Sequence, residues 1–236
     1  MRLLSIGNSF SQDAQRYLHA MAAEAGVELE TVNLYIGGCP LSLHAAHLSD
    51  GEAAYEYEKN GESTGRLVSL VEVLTGETFD AVTLQQASHE SLHAESFFPY
   101  LDTLAEAMRR LQPQAKLFVH ETWAYADGTE RLRDVAQCES HRAMYDRLHA
   151  CYLTAAAHIR ADGILPVGTA IVRATEAGIP HLHRDGFHLS LGAGRYLAAL
   201  VWLCTLTGTP KERVTFVPTD EPMDEPTRRA LHACVD

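Results

Sequence analysis

Long apolar runs, paired cysteines and basic clusters are all missing from this sequence of 236 residues. Without an apolar run of about 20 residues, no segment is predicted to span a membrane. The five cysteines form no C-x-x-C pair, which argues against a zinc knuckle and against a disulfide framework. The net charge of −12 argues against binding to nucleic acid or to an anionic membrane surface.

The N-terminal apolar run, Met1 to Gly7, is too short for the core of a signal peptide and ends in a turn signal. We interpret it as a strand and expect a cytoplasmic protein. With 46% hydrophobic residues, the chain can bury a sizeable core, and we predict a single domain over residues 1–236.

Segments typical of strands and of helices alternate along the chain. The strands are predicted at Arg2–Ile6, Glu28–Tyr35, Ala81–Leu84, Lys116–Val119 and Ile164–Val167. The helices are predicted at Asp13–Ala25, Leu67–Leu74, Phe97–Leu111, Glu139–Ala161, Ala193–Leu206 and Asp224–Cys234. This alternation favours α/β architecture: a three-layer α/β/α flavodoxin-like sandwich around a five-stranded, mostly parallel sheet of order 2-1-3-4-5. Asn60-Gly61 indicates a small inserted hairpin within Ala53–Thr64.

Ligands of open parallel sheets bind beyond the carboxyl ends of the strands, so the loops there hold the candidate residues. The first is Gly7-Asn8-Ser9-Phe10-Ser11, where Ser9 is either a nucleophile or the N-cap of a helix. The second is Ile36-Gly37-Gly38-Cys39-Pro40, where the Gly38 N–H is either an oxyanion donor or part of a plain turn.

The later loops carry amides, an acid and an imidazole. Gln85 and Gln86 end a buried strand, where an amide can donate to an oxyanion or fill a structural role. Asp185-x-x-His188 can bring a carboxylate to an imidazole, as a general base requires, or can be a surface acid beside a packed histidine.

In this order the segments resemble the SGNH (GDSL-like) hydrolase superfamily. Gly7-Asn8-Ser9 is similar to its first block with Asn in place of Asp, Gly38 to its second, and Asp185-x-x-His188 to its last. The third block departs from the usual Gly-x-Asn-Asp, since this chain has Leu-Gln-Gln-Ala-Ser. Aligned on the Gln-Gly-Glu-Ser block of some carbohydrate esterases, Gln85 takes the oxyanion role, with Gln86 one residue away.

A closer likeness is to a poorly characterised bacterial branch with a Gly-Asn-Ser-Phe first block. That branch also has Leu-Gln-Gln-x-Ser and Thr-Trp-Ala, which match the segments that begin at Leu84 and Thr122. No activity follows from this closer likeness.

The superfamily resemblance implies a serine esterase that acts through an acyl-enzyme. It makes Ser9 the nucleophile, His188 the base and Asp185 its partner, with the Ser9 and Gly38 N–H groups and Gln85 as the oxyanion hole. It implies no cofactor and, as substrate, a small acyl ester, foremost an acetyl ester, on a carbohydrate. The alternatives are a thioesterase or lysophospholipase with the same triad, a non-catalytic carbohydrate-binding protein, and a metal-dependent hydrolase.

Five further residues beside these loops are predicted to bind substrate. Trp123 and Tyr125 follow a strand end and can stack on a sugar or pack in the core. The others are Gln86, Glu121 and His44. We assign no metal site, although the His181-x-His183 pair keeps that alternative open. The apolar stretch of the last two helices leaves room for a homodimer.

Overall fold

Seven strands form one mixed sheet of order β4-β3-β2-β1-β5-β6-β7 in the computed structural model, which describes residues 1–236. The strands are β1 (Arg2–Gly7), β2 (Glu30–Tyr35), β3 (Tyr55–Lys59), β4 (Glu62–Val68), β5 (Ala81–Leu84), β6 (Lys116–His120) and β7 (Gly163–Leu165). The five strands β2-β1-β5-β6-β7 are parallel and follow the predicted order.

The prediction of five strands was wrong, because the inserted hairpin belongs to the main sheet. Its turn falls at Asn60-Gly61, as predicted, but its first strand, β3, pairs antiparallel with β2. Tyr55 and Tyr57 point from alternate positions into the core, which fixes that strand on the sheet. The outer strand β4 is exposed at every residue except Val68, and such a polar edge discourages pairing with other chains.

Nine α-helices surround the sheet. They are α1 (Ser9–Gln15), α2 (Leu18–Glu24), α3 (Leu41–Asp50), α4 (Leu70–Gly76), α5 (Tyr100–Leu111), α6 (His141–His158), α7 (Val167–Glu176), α8 (Ala193–Thr207) and α9 (Glu225–Ala233). One group, α1, α2, α7 and α9, packs on α8, while α3, α4 and α5 pack together. The arrangement is consistent with the predicted α/β/α sandwich.

Several helix bounds differ from the prediction. The predicted helix Asp13–Ala25 begins earlier, at Ser9, and breaks into α1 and α2. α4 begins only after Ser69, whose hydroxyl accepts a hydrogen bond from the Glu72 N–H and caps the helix. Two helices, α3 and α7, were not predicted, although each follows a proline, which favours a helix start.

The helix α8 lies inside the molecule. Nine of its residues, from Gly194 to Leu203, are buried against other parts of the same chain. Of the two helices that left room for a homodimer, α8 is therefore largely covered within the chain itself. No helix is long and apolar enough to cross a membrane.

Candidate active site

Ser9, His188 and Asp185 lie in one hydrogen-bonded row. The Ser9 Oγ is 2.9 Å from the His188 Nε2, and the His188 Nδ1 is 2.7 Å from the Asp185 Oδ2. These are the contacts that a serine nucleophile, its general base and an orienting carboxylate require. The row is open to solvent, since the side chains of His188 and Asp185 are 19% and 42% exposed.

The start of α1 determines where Ser9 lies. Asn8 is the N-cap, and its Oδ1 accepts a hydrogen bond from the Phe10 N–H. Ser9 is therefore not the cap but the first helical residue, where a backbone N–H has no partner within the helix. That N–H and the positive end of the helix favour negative charge beside the hydroxyl.

The loop Asp185–His188 is folded by its own carboxylate. The Asp185 Oδ1 accepts hydrogen bonds from the N–H groups of Phe187 and His188, while its Oδ2 faces the imidazole. Burial acts to raise the pKa of the Asp185 carboxyl, but these hydrogen bonds outweigh it and hold the pKa below its usual value. The carboxylate is thus kept ionised beside His188.

The side chain of Asp13 joins this loop to the helix that carries Ser9. It is fully buried, and its carboxylate accepts hydrogen bonds from the Arg184 Nη1 at 3.0 Å and the Arg195 Nε at 2.8 Å. It also accepts the Leu189 N–H at 3.0 Å. Residues on both sides of the Asp185–His188 loop are therefore held by one residue of α1, and sequence reasoning did not identify it.

A buried string of hydrogen bonds links the loops behind Ser9. The His120 Nδ1 donates to the Gln85 Oε1, and the Gln85 Nε2 donates to the Asn8 Oδ1, each at 2.7 Å. The Asn8 Nδ2 in turn donates to the Cys39 carbonyl at 3.0 Å. Any Cβ at Gly7 would lie 2.4 Å from the Ser11 Oγ, so glycine is needed where this string passes.

Gln85 therefore has a different position from the one expected of a free oxyanion donor. Gln85 is 2% exposed, and its amide group already makes hydrogen bonds on both sides, so in this structure it holds Asn8. The Gly38 N–H, by contrast, makes no hydrogen bond within the protein. Gly38 is exposed and has a φ of 65°, a conformation that glycine adopts without strain.

Gln86 was predicted to contact substrate, but it is fully buried. Its Oε1 accepts the N–H groups of Leu41 and Ala87, and its Nε2 donates to Ser96. With the whole amide satisfied, Gln86 fastens the loop after β2 to the loop after β5, and it is not available to a ligand in this structure.

Both aromatic residues expected to stack on a sugar are fully buried. Trp123 stacks on Phe10 at 4.1 Å between ring centroids and donates its indole N–H to the Phe187 carbonyl. The Tyr125 hydroxyl is 2.8 Å from the Ser88 Oγ. Because both side chains are buried, and Phe10 also stacks on Trp123, neither aromatic ring has an open face on which a sugar could stack.

Glu121 and His44 are also buried, and each has partners within the protein. The Glu121 carboxylate binds the His149 Nδ1 at 2.7 Å and the Thr169 hydroxyl, although burial still raises the pKa of the Glu121 carboxyl. His44 lies against Tyr55, with its Nδ1 2.9 Å from the tyrosine hydroxyl. Neither residue reaches the surface beside Ser9.

A cluster that could hold a cation lies away from this row. His47, Asp50 and Glu52 bring three potential ligand atoms within 4.8 Å of one another. They lie at the carboxyl end of α3, a helix of ten residues that begins beside the loop of Gly38. A helix of that length is about 15 Å long, so the cluster is remote from Ser9.

Buried histidines make the stability of the protein sensitive to acid. Burial lowers the pKa of His44 and of His120 from the usual 6.5 to about 3, and that of His183 to about 4. The folded state favours the neutral imidazoles, so their stabilisation is complete above the unfolded pKa and is lost as the pH falls toward the folded values. Between the unfolded and the folded pKa, each of these histidines can lower the free energy of unfolding by up to about 1.4 kcal/mol for every unit by which the pH falls.

Urea denaturation at a series of pH values tests this expectation. The free energy of unfolding should fall steeply between about pH 6 and pH 4, and less steeply in His120→Gln, whose amide can still donate to Gln85. Replacing the exposed His158 by glutamine is the matched control and should leave the slope unchanged. If the free energy of unfolding of His120→Gln fell with pH as steeply as that of the wild type, a lowered pKa of His120 in the folded state would be contradicted.

Solved structures share the fold of this chain. A protein from Slackia heliotrinireducens, described as an SGNH hydrolase, superposes with a TM-score of 0.62 at 25% identity over 87% of this chain and 98% of that one. An acetylxylan esterase from Geobacillus stearothermophilus superposes with a TM-score of 0.52 at 15% identity over 91% and 94%. The fold and the site thus define a relative of the SGNH (GDSL-like) hydrolase superfamily. This relationship supports ester hydrolysis as the general class of reaction.

The family model described as Domain of unknown function (DUF4886) matches residues 2–230. A DUF4886 family protein from Bacteroides uniformis ATCC 8492 has a crystal structure with a TM-score of 0.91 at 32% identity, over 99% of this chain and 92% of that one. The chain belongs to the DUF4886 family. No curated protein matches it.

Proposed function

We propose that this protein is a serine esterase that hydrolyses small acyl esters, foremost acetyl esters. The observation that carries the proposal is the row of hydrogen bonds from Ser9 through His188 to Asp185. In this mechanism His188 takes the proton of Ser9 as the hydroxyl attacks the ester carbonyl, and later gives it to the departing alcohol. Water then releases the acyl group with the same imidazole as base.

The oxyanion of the tetrahedral intermediate would be bound by backbone groups. The Ser9 N–H begins α1, and the Gly38 N–H makes no hydrogen bond within the protein, so both can donate. Gln85 contributes through its hydrogen bond to Asn8, because Asn8 in turn binds the Cys39 carbonyl and so joins the loop of Ser9 to the loop of Gly38. We therefore assign Gln85 a positioning role in place of the direct contact that the resemblance implied.

The surface apolar residues support a small acyl group. A long acyl chain needs a continuous apolar groove, as a lysophospholipase would provide. The large exposed hydrophobic side chains are instead spread along the sequence: Leu43, Leu67, Tyr100, Val135, Leu153, Leu191 and Val217. The open position of His188 and Asp185 leaves room for a bulky polar alcohol, such as a sugar, beside a short acyl group.

A series of p-nitrophenyl esters tests the size of the acyl group. We expect kcat/KM to be highest for the acetate and at least about tenfold lower for the octanoate, because a long acyl chain gains binding energy only in a continuous apolar groove. Activity should survive a metal chelator, since the proposed mechanism uses no metal.

The outcomes of this series separate the alternatives. A preference for the octanoate would favour a lysophospholipase or thioesterase and contradict the small acyl group. Loss of activity with a chelator would favour a metal-dependent hydrolase. If the wild type neither hydrolyses these esters nor reacts with a fluorophosphonate, the proposed esterase function itself is contradicted.

A further inference from the structure

Arg131 is a cation without a protein partner beside the row of Ser9, His188 and Asp185. It is exposed, at the start of the short π-helical turn Arg131–Val135, and its guanidinium makes neither a hydrogen bond nor an ion pair. The neighbouring cations are engaged: Arg133 pairs with Asp134, and Arg184 pairs with the buried Asp13. The five donors of the Arg131 guanidinium are thus free for a ligand.

Two contacts through the ring of Phe187 connect this guanidinium to the imidazole of His188. The Arg131 Cζ lies 3.8 Å from the ring centroid of Phe187, and that ring lies 3.8 Å from the imidazole, between centroids. The ring of Tyr125 supports the guanidinium from farther away, at 5.6 Å. Contacts with an aromatic face stabilise a guanidinium while leaving its edge donors open.

Hydrogen bonds between the two loops fix this arrangement. The Ala126 N–H donates to the Gly186 carbonyl at 2.8 Å, and the Trp123 indole donates to the Phe187 carbonyl at 2.7 Å. The loop that leads to Arg131 is therefore joined to the loop that carries His188. A group bound by the guanidinium would hold a defined position relative to the reacting ester.

The mechanism indicates which part of the substrate would meet Arg131. The imidazole that takes the proton of Ser9 must later protonate the departing alcohol, so the alcohol part of the ester lies on the side of His188. Phe187 contacts both this imidazole and Arg131, so the guanidinium lies on the His188 side of the reacting group.

We propose that Arg131 binds an anionic group, a carboxylate or a phosphate, carried by the alcohol part of the ester. This inference rests on the esterase function proposed above. A guanidinium can bind either anion through two parallel hydrogen bonds. Since the chain carries a net charge of −12, it has no general attraction for anions, and a preference for them must come from a local cation.

Two acetyl esters that differ in charge test this site. 4-Acetoxybenzoate and its neutral methyl ester share the acyl group and the aromatic ring, and comparing variants cancels their difference in intrinsic reactivity. The ratio of kcat/KM for the acid over the methyl ester should fall about tenfold in Arg131→Gln, mainly through KM, because the charge-assisted contact is lost. Arg131→Lys should keep part of the preference, since it keeps the charge.

The matched control is Arg133→Gln, which removes an equally exposed cation of the same turn and should leave the ratio unchanged. Hydrolysis of both esters with the same ratio in wild type and Arg131→Gln would overturn the anion site alone. Hydrolysis of neither ester would overturn the proposed esterase and the inference with it. Hydrolysis of 4-acetoxyphenyl phosphate distinguishes the two anions. If Arg131→Gln lowers kcat/KM more for this phosphate than for 4-acetoxybenzoate, the natural alcohol is phosphorylated. If it lowers kcat/KM less, the natural alcohol carries a carboxylate.

Discussion

Replacing Ser9 by alanine is expected to lower kcat for p-nitrophenyl acetate by about 10⁴-fold or more. The change removes the hydroxyl that lies 2.9 Å from the His188 Nε2, and with it the acyl-enzyme route, while the backbone N–H donors remain. Steady-state kinetics measures the loss, and mass spectrometry after fluorophosphonate treatment should show the adduct on the wild type only.

The same experiment distinguishes a catalytic unit from separate contributions. His188→Ala alone should cost about as much as Ser9→Ala, and the double variant should cost little more, because the two side chains act together. Ser49→Ala, on the exposed part of α3, is the control and should retain both turnover and labelling. Labelling of Ser9→Ala as strong as that of the wild type would refute the nucleophile.

Replacing Asp13 by asparagine is expected to lower the free energy of unfolding by about 2–4 kcal/mol. The carboxylate is fully buried between Arg184 and Arg195, and an uncharged amide leaves two cations without their counter-charge. Because the amide has one acceptor oxygen in place of two, it cannot accept from both the Leu189 N–H and the Arg195 Nε, which should also loosen the loop of His188. Urea denaturation measures the first effect, and kcat measured where the variant is still folded measures the second.

The control for Asp13 is Asp146→Asn, which breaks an exposed ion pair with Arg142. Such pairs contribute little, so its unfolding midpoint should match that of the wild type. An Asp13→Asn variant with the same urea midpoint as the wild type would contradict this prediction. It would show that the loop of His188 is held by other contacts than those of Asp13 with the two arginines.

Local signals in the sequence were enough to predict the parallel strands and to make Ser9, Asp185 and His188 candidate residues, whereas their roles in a triad came from the superfamily resemblance. The short strand that ends at Gly7 places Ser9 in a turn at the sheet edge, where it is either a nucleophile or a helix cap, and the spacing of Asp185 and His188 lets the acid fold back onto its own loop. These features depend on neighbours within a few residues, which a single sequence contains. The order of the parallel strands follows from the same alternation.

Features that depend on distant residues were not predicted. Asp13 meets Arg184 across 171 positions, and nothing in the residues around Asp13 marks it as a buried anchor. Trp123 was expected to meet substrate because it follows a strand end, yet Phe10 at the start of α1 stacks on it. The pairing of β3 with β2 is likewise a contact between segments, so the hairpin was predicted but its place in the sheet was not.

The side chain of Asn8 has a consequence for how this protein can change over evolution. Its Oδ1 accepts hydrogen bonds from Phe10 and Gln85, while its Nδ2 donates to Cys39. The aspartate common at this position in the superfamily could keep the first two contacts but could not donate to the Cys39 carbonyl. Because Asn8, Gln85 and His120 are joined in one chain of buried hydrogen bonds that ends at Cys39, we expect homologues with aspartate at position 8 to differ at the other two positions as well.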